Sequence, residues 1–179
     1  MSLQLATLLP GLLLLALGGA LLSGNSAVRA ALTAFPRSRP ATYVCFGAAC
    51  AWFLYHVWHL SPADFAEYKL YLFIGFAAVG ALSFWCVPDF LAVRGLAALV
   101  LLAASPLLEA AYMDWAHPQR LLMVGFVFLC ISLAIWLGAS PYRLRDALEW
   151  MFRTEGRPRL VGGVLAGYGA VLLVVAFTY

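Results

Sequence analysis

The chain has 179 residues, of which 65% are hydrophobic and only 11% charged, with a net charge of +3 and a mean hydropathy of +0.93. A soluble domain of this length sits nearer about 45–50% apolar, and six spans of about 20 residues would use up roughly 120 residues, so no separate soluble domain fits. The modest positive charge sits on arginines flanking hydrophobic runs, where membrane topology accounts for it; it implies contact with anionic lipid headgroups and no nucleic-acid partner.

The charges leave six uncharged runs, at 1–28, 40–63, 70–88, 95–108, 121–142 and 160–179. At 1.5 Å per residue, a helix of about 20 residues crosses roughly 30 Å of hydrocarbon. The expected fold is all-α: a polytopic transmembrane helical bundle forming a single integral membrane domain over 1–179, with about six spanning helices and two short interfacial amphipathic helices. The spans are expected near 4–23, 41–60, 70–87, 90–113, 120–139 and 160–178, and the interfacial helices near 26–35 and 141–153.

The first segment is leucine-rich, with Pro10 in its first half as a place for a kink. Its first charge is Arg29, so it lacks the positive n-region of a signal peptide and reads as a retained helix. After it, Val28, Ala31, Leu32 and Phe35 fall at i, i+3, i+4 and i+7, one face of a helix that Ser26 would cap and Pro36 would stop. That pattern suits a helix lying in the membrane interface. The second segment ends in an aromatic cluster of Trp52, Phe53, Tyr55 and Trp58, and the loop from Ser61 to Lys69 carries Asp64 and Glu67. In the third, Gly75, Ala78 and Gly80 provide small faces, and Pro88 and Asp89 mark the turn into the fourth.

The fourth segment is the weakest, because its uncharged core is the short run 95–108. To span, it must include Arg94 and Glu109, which lie about 22 Å apart along a helix axis and cannot pair. Arg94 can snorkel to one surface while Glu109 reaches the other, with Asp114 one turn beyond. After the fifth segment, Ser140 and Pro141 read as N-cap and first helical residue of the second interfacial helix. Its apolar stripe is Leu144, Leu148, Met151 and Phe152, and five arginines fall between Arg143 and Arg159. In the last segment Gly163 and Gly167 form a GxxxG, with Gly162, Ala166 and Ala170 as a second small row beside it.

Orientation follows from the basic residues. In a six-span chain one side holds Arg29, Arg37, Arg39, Arg94, Arg143, Arg145, Arg153, Arg157 and Arg159, and the other only Lys69 and Arg120. The positive-inside rule makes the first side cytoplasmic and places both termini outside, in the inner membrane if the source is a bacterium. Without a spanning fourth segment that asymmetry collapses. A faint internal similarity, VRAAL at 28–32 against LRDAL at 144–148, raises a duplication in which the third and fourth segments stand between two related pairs.

No Walker loop, dinucleotide fingerprint, HExxH or GxSxG occurs, and no span has a row of acids at its midplane. A lipid-modifying enzyme would need a nucleophile beside a base, and no such pair stands at helical spacing. Cys45, Cys50, Cys86 and Cys130 lie inside uncharged runs without a CxxC and read as packing residues. One grouping stands out: His56, His59 and His117 all fall near the outer face, on the side of Glu109, Asp114, Asp64 and Glu67. As a metal site it would use His56, His59, His117 and Glu109. His56 and His59 share a helical face continuing through Ala49 and Trp52, so a haem held between two histidines would need His117 opposite them. A quinone headgroup is a further ligand of that chemistry, and aromatic and imidazole rings also suit the interface without any ligand.

With no catalytic residues and no specified cofactor, the pattern fits best a non-catalytic subunit that scaffolds or stabilises a larger membrane complex, its partners being membrane lipids and other integral membrane subunits. The alternatives are a membrane redox or metal/haem-binding protein and a small transporter or channel, for which only scattered polar side chains are at hand.

Overall fold

The computed structural model describes residues 1–61, 65–87 and 89–179. Eight α-helices occur among them: α1 Leu3–Leu22, α2 Ser26–Ala34, α3 Arg39–Trp58, α4 Lys69–Cys86, α5 Leu91–Ala111, α6 Arg120–Ala139, α7 Tyr142–Phe152 and α8 Gly156–Ala176. Five of them, α1, α4, α5, α6 and α8, are long and apolar enough to cross a membrane. The helix α3 has the same 20-residue length as α1 and α6. It is less apolar because Thr42, Tyr43, Trp52, Tyr55 and His56 interrupt its aliphatic and small residues.

The helix boundaries follow local chemistry. Ser2 accepts from the Leu5 amide at 3.3 Å and caps α1. Gly24 then turns the chain at φ +62, a conformation that suits a residue without Cβ. Asn25, rather than Ser26, caps α2 through Oδ1 and the Ala27 amide at 2.9 Å. Pro36 lies in a tight 3₁₀ turn over Phe35–Arg37, after which Ser38 caps α3 and Pro40 occupies its first turn. The fourth segment is helical throughout Leu91–Ala111, starting after Phe90 in the left-handed region at φ 57. Pro141 sits at the N-cap of α7, one residue outside the helix. The helix α8 starts earlier than its uncharged run, at Gly156, so that Arg157, Pro158 and Arg159 form its first turn.

The bundle is built from close pairs. The most extensive is α1 against α8, antiparallel, where Gly11 faces Gly169 and Gly18 faces Gly162 and Ala166. Small residues let the backbones approach, and packing between close backbones is what joins helices in lipid, where apolar burial offers little driving force. The row that packs is therefore Gly162, Ala166 and Gly169. Gly163 and Gly167 face outward, with nothing within 4 Å of the position a Cβ would occupy. The helix α5 is central: it packs along α3, with Gly95 against the backbone of Cys45 and Phe46, and along α6 on its other side. A core of Ala6, Leu14, Ala104, Ala111, Met123, Val127 and Leu172 joins α1, α5, α6 and α8.

The helix α4 lies at the edge. It packs chiefly on α3, antiparallel, through rings such as Phe76 on Phe53 at 5.0 Å and Phe84 on Phe46 at 5.2 Å, and buries none of its residues. A duplicated bundle would place α4 between the two pairs and match the α1–α8 contact with one of similar extent between α6 and α3. Neither is found.

Candidate functional site

Polar chemistry collects at the two ends of the bundle. At one end α2, the Phe35–Arg37 turn and α7 meet beneath the starts of α3, α5 and α8. Four of the arginines here rest on aromatic rings. Arg29 lies over Phe152 at 5.6 Å, Arg37 over Phe90 at 5.5 Å, Arg143 over Tyr142 and Trp136 at 5.5 and 5.9 Å, and Arg157 over Trp150 at 4.4 Å. Rings at interface depth let a guanidinium keep a partner while its stem lies on apolar surface. Among the described residues only Arg145 on this face has a carboxylate partner. Its bond to Asp146 at 2.7 Å, with Glu149 nearby, raises the pKa of a group already fully charged at neutral pH.

The opposite end carries the histidines: His56 and His59 both lie against the Tyr55 ring, at 5.9 and 4.2 Å, and His117 lies between α5 and α6. His56 is exposed and stacks on Trp52, ring centroids 6.5 Å apart. The helix α3 ends at Trp58, so His59 is its C-cap and its ring turns back onto Tyr55 at 4.2 Å. His59 Nδ1 lies 2.8 Å from the Tyr55 carbonyl, which only accepts, so Nδ1 carries a proton and donates. His117 Nδ1 sits 3.1 Å from Asp114 Oδ1, and its ring meets Tyr179 edge-on at 5.3 Å. Glu109 is exposed and accepts from Ser105 Oγ at 3.2 Å, one helical turn earlier. Glu67 lies in the short turn Ala66–Tyr68 before α4, and Asp64 lies outside the described residues.

Two of the expected residues are thus brought to a common surface with their neighbours, His117 with Asp114 and His59 with Tyr55, but no hydrogen bond, ion pair or ring contact joins His56 or His59 to His117 or Glu109. Among the described residues no three His, Cys, Asp or Glu side chains gather as a metal ion would require. The chain's end ties this face together: Gln119 Nε2 donates to Thr178 Oγ1 at 3.3 Å and Arg120 Nη1 to the Ala111 carbonyl at 3.1 Å. Sequence reasoning missed Thr178 and Tyr179 here, because nothing local in a terminal Thr-Tyr says that it meets the α5–α6 loop. No protein family model, curated protein or solved structure matches this chain.

Proposed function

We propose that the protein is a non-catalytic integral membrane subunit, holding a larger membrane assembly together by helix packing and lipid contact. All six long helices cross the bilayer in this reading, α3 included, because it packs along α5 and its charge, Arg39, lies at one end. The arginine-rich end is cytoplasmic and both termini are periplasmic, in a bacterial inner membrane.

The observation that carries the reading is the outward face of α8. Leu160, Gly163, Val164, Gly167, Val171 and Val174 follow at helical spacing on one face, with Leu160 70% and Val164 63% exposed. The two glycines form a groove between aliphatic ridges, the surface on which a second transmembrane helix packs closely. Among the described residues nothing stands within 4 Å of where a Cβ on either glycine would lie. Lipid tails pack against any aliphatic surface, so a pair of glycines four apart is needed only where another backbone comes near. The α4 edge, with Trp85 86% exposed, is a second unpartnered flank.

Native mass spectrometry of material extracted in mild detergent through a tag on this chain tests the reading. A stoichiometric integral partner is the expected result, and a chain that emerges alone in every mild detergent overturns it. A second reading, metal or haem binding at the histidine end, draws on one observation. The Nδ1 atoms of His59 and His117 are held by Tyr55 and Asp114, the arrangement that orients an imidazole to coordinate through Nε2.

A further inference from the structure

At the arginine-rich end, a cleft of about 180 Å³ opens between the end of α1, the start of α2, the end of α7 and the start of α8. Its lining mixes apolar side chains, Leu21, Val28, Phe152 and Pro158, with polar and charged ones, chiefly Arg29, Glu155 and Arg159. We propose that this cleft binds the phosphate group of an anionic phospholipid headgroup.

Two guanidinium groups from opposite walls face the cleft. Arg29 spends one donor on the Phe152 carbonyl at 3.2 Å, which with the ring contact holds the group in place and leaves its other N–H groups available. Arg159 makes no hydrogen bond or ion pair among the described residues. Its Nη2 lies 3.9 Å from where a Cβ on Gly24 would stand, so the guanidinium sits beside the turn that joins α1 to α2. Planar guanidinium groups match phosphate oxygens in pairs, and two of them converging on one cleft make a stronger anion site than either alone.

The same lining argues for a lipid. A free anion has no use for the apolar part of the lining, whereas a phospholipid can set its phosphate against the arginines and its glycerol and first methylenes against Leu21, Val28 and Phe152. The cleft also lies between the amphipathic α2 and the start of α8, the level at which headgroups sit. Glu155 is the one carboxylate in the lining. It reduces the local charge to one net positive, enough to favour an anionic headgroup over a zwitterionic one whose own ammonium would face the arginines.

The test is native mass spectrometry of the delipidated full chain in neutral detergent, titrated with phosphatidylglycerol, phosphatidylcholine or inorganic phosphate. The expected results are tighter binding of phosphatidylglycerol than of phosphatidylcholine, and a loss of about tenfold or more in Arg29→Gln/Arg159→Gln. Arg153→Gln, outside the lining, should change binding by less than about twofold. Glu155→Gln should tighten binding by about twofold or more, a gain that a damaged fold cannot produce. Unchanged affinity in the double variant, or equal binding of the two lipids by the unaltered chain, overturns the proposal. Displacement of phosphatidylglycerol by millimolar inorganic phosphate overturns the lipid as the source and assigns the cleft to a soluble phosphate.

Discussion

Gly18 and Gly19 are neighbours on α1, and replacing each by alanine is expected to have opposite effects. A Cβ on Gly18 would stand 2.5 Å from the Ala166 nitrogen, 2.6 Å from the Gly162 carbonyl oxygen and 2.8 Å from the Ala166 Cβ, while a Cβ on Gly19 meets nothing within 4 Å. Two of the three atoms at Gly18 are backbone of α8, so no side chain can swing away and the helices must part. Ordinary contact begins near 3.4 Å, so relief at the Ala166 nitrogen requires about 0.9 Å (3.4 less 2.5). A gap of 0.5–1 Å forfeits about a quarter to a half of the attraction between facing atoms, and α1 against α8 is the most extensive helix pair in the molecule. Overpacking of this kind typically costs about 1–3 kcal/mol. The gain in helix propensity from glycine to alanine, about 0.5–1 kcal/mol, offsets part of it at Gly18 and is the whole effect at Gly19. Gly18→Ala should therefore lose up to about 2.5 kcal/mol and Gly19→Ala should gain about 0.5–1 kcal/mol, the two differing by the overpacking cost of about 1–3 kcal/mol. Denaturation in mixed micelles, followed by circular dichroism, reads both. Variants that agree within about 0.5 kcal/mol would refute the assignment of the α1–α8 contact to the Gly18 row.

Gly163→Leu/Gly167→Leu fills the outward groove of α8 without touching α1, so unfolding in micelles should be nearly unchanged while a partner captured in mild detergent is lost. Retention of the partner at full stoichiometry would move the docking surface elsewhere, with the α4 edge the next to test. On the second reading, the purified chain should carry metal or show a haem spectrum, and His117→Ala should remove it with the helical content intact. A metal-free, colourless preparation after metal-supplemented growth would end that reading.

Much of the fold is legible in the chain. Charge placement marks the long helices, because hydrocarbon tolerates few charges and a helix must be about 20 residues to cross it. The fourth segment shows how far that reasoning reaches: its uncharged core is short, yet the helix runs continuously from Leu91 to Ala111 with Arg94 and Glu109 near its two ends. The amphipathic patterns around Val28 and Leu144 likewise mark α2 and α7, since their periodicity depends only on local geometry. The candidate site was less legible. Three histidines on one end of a bundle look alike in sequence, but α3 stops at Trp58, two residues before the expected end, and His59 as its C-cap folds back onto the Tyr55 ring.

The sequence by itself determined the helices, their lengths and the concentration of arginine at one end, because these depend on hydrophobicity and on spacing along the chain. Tertiary structure decided which surfaces meet. Two small-residue rows run along α8, and only close approach to Gly11 and Gly18 of α1 selects Gly162, Ala166 and Gly169 for the interior and leaves Gly163 and Gly167 outside. The edge position of α4 and the bond from Arg29 to Phe152, 123 residues later, have the same origin. In lipid every apolar face is acceptable, so hydrophobicity cannot choose among them; the choice falls to backbone proximity and paired hydrogen bonds, which exist only once the helices are assembled.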